Sequence, residues 1–72
     1  MIRKYSITLH GHRTSFSLEE EFHDALRTLA AARGRSLAAL IAEVDESRQE
    51  RDNLSSALRV FVLTAVRGQQ DQ

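Results

Sequence analysis

The residues with the clearest chemical reach are Arg13, Ser15 and Ser17, spaced two apart in the run Arg13-Thr14-Ser15-Phe16-Ser17-Leu18. Polar and apolar positions alternate there, which is the period of a half-buried strand. With Thr14, Phe16 and Leu18 turned inward, a guanidinium and two hydroxyls share the outward face. Such a row can bond base edges or phosphate oxygens. The plainer reading is a solvated strand face ending in a helix cap, because Ser17 and Glu20 stand at capping-box spacing.

Other reactive residue types offer less. His10 and His12 lie two apart, and paired imidazoles suit zinc, copper or nickel, but no further ligand follows at metal-like spacing. No metal site and no cofactor is expected. His23, between Phe22 and Asp24, reads as a helix-surface residue. Glu19, Glu20 and Glu21 diverge around one helical turn, so they complement the positive end of a helix dipole better than they form an acid–base pair. A Ser-His-Asp arrangement needs enclosing geometry that 72 residues hardly supply, and no glycine-rich phosphate loop is present. An enzyme is not expected.

The elements that must position the row follow from periodicity. Tyr5, Ile7 and Leu9 share a parity and favour strand. Gly11 separates them from Arg13, giving either one strand bent at Gly11 or a hairpin turning at Gly11-His12, where a leading glycine suits a type II′ turn. Leu18, Phe22, Leu26 and Leu29 define the first helix, closed by Arg33 and Gly34. Ser36 caps a second, with Leu37, Leu40, Ile41 and Val44 on its face. Asp45 to Asp52 is charged and reads as a solvated continuation or a loop. Asn53-Leu54-Ser55-Ser56 starts a third helix, roughly Ser55 to Arg67, with Leu54, Leu58, Phe61 and Ala65 in one stripe.

Residues 1–67 therefore read as a single domain, mainly α with a short N-terminal β element, and 68–72 as a disordered polar tail. A chain this small without cysteine is expected to gain burial from a partner subunit. No apolar run is long enough for a membrane span or a signal peptide's core, so no membrane partner and a cytoplasmic location are expected. Ten basic and ten acidic residues cancel, yet Arg3, Lys4 and Arg13 all precede the first acid, Glu19. One end of the fold is thus locally basic.

A strand, a helix ending in Gly34-Arg35-Ser36, and a second amphipathic helix resemble the ribbon-helix-helix fold of Arc- and MetJ-like bacterial repressors, over about Arg13 to Arg48. Gly11-His12-Arg13-Thr14-Ser15 and Asn53-Leu54-Ser55-Ser56-Ala57-Leu58-Arg59-Val60-Phe61 further resemble a subgroup of small bacterial ribbon-helix-helix domain proteins. The resemblance implies an intertwined homodimer whose strands pair into an antiparallel ribbon that enters the major groove of double-stranded DNA. It implies base contacts from Arg13, Ser15 and Ser17, and a phosphate clamp at the start of the second helix from Arg33, Arg35, Ser36 and Leu37. Phe16, Leu18, Phe22, Leu26, Leu40, Ile41 and Phe61 are then the dimer core.

The function so implied is transcriptional regulation, as a repressor. The zero net charge and the third helix, a surface for a second protein, leave open an adaptor or antitoxin-like module that keeps the dimer without reading DNA.

Overall fold

Alternating side chains on both sides of Gly11 can share one buried face only if the chain doubles back. A computed structural model, which describes residues 1–70, shows the hairpin. Strand β1 (Ile2–Leu9) pairs antiparallel with β2 (His12–Glu19), from Leu9 opposite His12 to Ile2 opposite Glu19. The turn is His10-Gly11, one residue earlier than the expected Gly11-His12. Positive φ at both residues, 53° and 81°, makes it type I′, whose twist matches that of the strands. The shift moves every pair by two residues and so keeps each side chain on its expected face.

Helix α1 (Glu20–Ala32) begins directly after the strand. Ser17 belongs to β2, and the N-cap is Glu19 in extended conformation with no side-chain cap. The helix ends in a Schellman motif. Gly34 N–H donates to the Ala31 carbonyl and Arg35 N–H to that of Ala30, at 3.1 and 2.9 Å, with Gly34 at φ 65°. A Cβ at Gly34 would meet no neighbour, so its cost is conformational alone. Gly34→Ala should destabilise the fold by about 1–2 kcal/mol, read as a drop of several degrees in the thermal midpoint by circular dichroism.

Helix α2 (Leu37–Ser47) is capped by Ser36, whose Oγ accepts from Ala39 N–H at 3.0 Å. The charged segment divides between the last turn of α2 and a loop held by Arg48, which donates to Asp45 Oδ1 at 2.7 Å and to the Asp52 carbonyl at 2.6 Å. Asn53 Oδ1 then accepts from Ser56 N–H at 2.7 Å and starts α3 (Leu54–Gln70). That helix passes Gly68 and exceeds the expected end at Arg67, while Asp71 and Gln72 lie outside the described residues.

The three helices cover the inner face of the hairpin. Leu18, Leu26, Leu40, Ile41 and Leu58 are fully buried, with Phe16 among them and Phe22 and Phe61 packed alongside. The residues assigned from the resemblance to a dimer core thus fill the core of one chain. Helix α3 makes this possible by adding Leu54, Leu58 and Val62.

Candidate nucleic-acid interface

Pleating sends alternate residues of the hairpin to opposite faces. Arg13, Ser15 and Ser17 lie exposed on the outer one, as the sequence pattern requires. Pairing adds what the pattern of β2 alone missed: Lys4 opposite Ser17, Ser6 opposite Ser15, and Thr8 opposite Arg13, all exposed. The signal was present in β1, where Lys4, Ser6 and Thr8 alternate with Tyr5, Ile7 and Leu9. Between the Lys4–Ser17 and Thr8–Arg13 pairs the outer face carries two cations placed diagonally, four residues (about 13 Å) apart along the strands, with four hydroxyl residues, and the same parity continues to Ile2 and Glu19 at the base. Neither Lys4 nor Arg13 has an ion-pair partner among the described residues.

The hairpin is held at both ends. At its base, Tyr5 stacks on Phe16 at 5.6 Å and lies nearly parallel to the His23 ring at 3.9 Å, and Arg3 pairs with Glu20. The edge of β2 meets α3, where Ser17 N–H donates to Ser55 Oγ at 3.0 Å and Arg59 Nε to Glu19 Oε1 at 3.0 Å. At the tip, His10 Nε2 stands 3.5 Å from Glu46 of α2.

The strand that the resemblance pairs with a second copy is thus paired with β1 of its own chain. Its other edge carries α3 near Ser17.

The Glu19 backbone N–H, and then the Arg59 guanidinium, hold the Glu19 carboxyl below the usual glutamate range. A carboxylate whose folded pKa is depressed stabilises above its unfolded pKa and loses that contribution as pH falls through the folded value. The α3–β2 junction should therefore loosen in acid, below the usual glutamate range. The protection of the Ser17 amide against exchange, relative to its intrinsic rate at each pH, should fall there in the wild type, and Glu19→Gln should flatten that dependence.

The residues expected to clamp phosphate form a separate group at the α1–α2 turn. Arg33 lies over the Phe61 ring at 5.2 Å, Arg35 pairs with Glu43, Ser36 caps α2, and Leu37 packs against the core. Ser36 and Glu46 are ten residues (about 15 Å) apart on α2, which puts this turn at the opposite end of the helix from the hairpin tip. No hydrogen bond or ion pair among the described residues joins the turn to the outer row.

Among the described residues, no three His, Cys, Asp or Glu side chains converge on a common point, and no helix is long and apolar enough to cross a membrane.

A hairpin leading directly into two capped helices, with a third closing the core, matches a family model for the ribbon-helix-helix domain over residues 2–66. The chain belongs to the ribbon-helix-helix family. The match takes in β1 and most of α3, so both belong to the family pattern and extend it beyond Arg13–Arg48. Ribbon-helix-helix domains are typically DNA-binding transcription regulators or antitoxins. No curated protein and no solved structure matches the chain.

Proposed function

We propose that this ribbon-helix-helix chain is a cytoplasmic, homodimeric transcriptional regulator, acting as a repressor, that reads double-stranded DNA with the outer face of its own hairpin. The observation that carries this reading is the exposed face of Lys4, Ser6, Thr8, Arg13, Ser15 and Ser17, whose cations have no ion-pair partner among the described residues and which is braced at its base. A two-stranded antiparallel ribbon fits the major groove, and here both strands come from one chain. Arg13 can fork onto guanine O6 and N7, Lys4 supplies a point charge for phosphate, and the hydroxyls bond donors or acceptors. The turn residues Arg33, Arg35, Ser36 and Leu37 serve as a secondary phosphate contact. Reaching DNA there would require Arg35 to leave Glu43.

Fluorescence anisotropy with the chain's own promoter region at low salt tests the reading. Wild type should bind, and Arg13→Ala should weaken binding by roughly 1–3 kcal/mol while leaving the thermal midpoint unchanged.

The zero net charge and the exposed apolar side chains of α3 support a second reading, an adaptor or antitoxin-like module. Absence of any DNA binding by a correctly folded wild type would favour it.

A further inference from the structure

The hairpin repeats itself. Arg3-Lys4-Tyr5-Ser6-Ile7-Thr8-Leu9 and His12-Arg13-Thr14-Ser15-Phe16-Ser17-Leu18 match position by position at an offset of nine residues. Each copy has basic types at its first two places, then serine, an apolar residue, a hydroxyl and leucine at its last four, and only Tyr5 against Thr14 differs in kind. The fold sets the two copies antiparallel, with Ser6 directly opposite Ser15. An approximate twofold axis therefore passes between those serines, perpendicular to the sheet. It exchanges the flanking Lys4–Ser17 and Thr8–Arg13 pairs, so that Lys4 takes the place of Arg13 and Thr8 that of Ser17. The inner face follows. Leu9 and Leu18 are both buried, and half-buried Ile7 stands where Phe16 does.

We propose that this hairpin is an internally duplicated ribbon, a complete twofold reading unit within one chain, in which Lys4 and Arg13 are equivalent reading positions and Arg13 alone selects guanine. This rests on the DNA-reading function of the preceding section and specifies the site it reads: a short duplex step with a local dyad under Ser6 and Ser15.

A strand repeated and folded back on itself supplies what two identical strands from two subunits would supply. The symmetry of a reader is mirrored in the symmetry of the duplex it reads. The two cations stand about 13 Å apart along the strands, a span of roughly three to four base pairs at about 3.4 Å of rise each. The hydroxyls of Ser6, Thr8, Ser15 and Ser17 bond donors and acceptors alike, so they serve either half of the step. The cations break the symmetry. A guanidinium forks onto guanine O6 and N7, whereas the ammonium of Lys4 is a compact point charge suited to phosphate. One end of the step is thereby read for guanine and the other is held by charge. A second copy of the chain adds a second reading unit and is not needed to complete the first.

Exchanging the two cations tests the equivalence. Duplexes with a randomised centre of about one helical turn are enriched on each variant, sequenced, and measured by anisotropy. Wild type should enrich a step with guanine at one end. Arg13→Lys alone should lose that guanine and weaken binding about tenfold or more. Adding Lys4→Arg to it should regain both the affinity and the motif, because the exchanged face presents the wild-type pattern after a half-turn. Lys4→Arg alone should add a second guanine, on the opposite strand three to four base pairs away, and make the motif self-complementary. Circular dichroism should be unchanged throughout. An exchange variant as weak as Arg13→Lys, or a Lys4→Arg motif identical to that of wild type, overturns the duplicated reader and leaves DNA reading standing. A folded wild type that enriches no duplex overturns the DNA reading and this assignment with it.

Discussion

Leu58→Ala should lower the thermal midpoint by more than about 10 °C and leave a sizeable unfolded fraction at physiological temperature. Leu58 is fully buried on α3, which reaches both β2 and α2. Truncating a buried leucine costs about 2–5 kcal/mol, partly for lost transfer free energy and partly for the cavity left behind. A domain of this length has a total stability on the order of 4–11 kcal/mol, so one such loss removes much of the margin. Leu63→Ala, on the same helix but solvent-facing, should shift the midpoint far less at low protein concentration. Urea melts of both variants check the contrast. Equal effects would mean that α3 does not complete the core of one chain.

The second large effect concerns charge on the outer face. Lys4→Ala combined with Arg13→Ala should nearly abolish DNA binding at physiological salt and flatten the salt dependence at lower salt. Each phosphate neutralised contributes about −0.9 to the slope of log affinity against log salt, so losing the Lys4 contact should reduce its magnitude by roughly 0.9, while losing the Arg13 base contact costs about 1–3 kcal/mol of affinity. Arg27→Ala with Arg51→Ala removes the same charge from exposed positions on α1 and in the α2–α3 loop. That pair should leave slope and affinity almost unchanged. If both doubles behave alike, the attraction is a property of overall charge and the hairpin is not the contact.

Strand and helix periods were legible wherever one face is buried and the other wet. Tyr5, Ile7 and Leu9, Phe16 and Leu18, the α1 face and the caps at Ser36 and Gly34 all appear in the structure where the pattern puts them. The turn was misplaced by one residue because glycine suits either position of a two-residue loop. What decided it was His10, a residue type that tolerates left-handed backbone. The outer row was half legible: β2 announced Arg13, Ser15 and Ser17, but which residues lie beside them depends on pairing register, and no local pattern fixes that.

Of the residues assigned to a dimer core, Phe16, Leu18, Leu26, Leu40 and Ile41 are buried within one chain, and Phe22 and Phe61 are partly buried against them. Whether a buried face is covered by its own chain or by another is not encoded in periodicity. Here α3 supplies the cover, and the Ser55–Ser17 and Arg59–Glu19 contacts connect positions nearly forty residues apart.

A ribbon held by aromatic stacking and α3 at its base has less freedom to surrender on docking than an unsupported hairpin. Under the proposed function, recognition of a duplex would be that of a rigid template, with the ordering entropy already met when the chain folds. Selectivity would then fall on the nucleic acid, which would have to present a groove of suitable width because the protein does not reshape itself to fit.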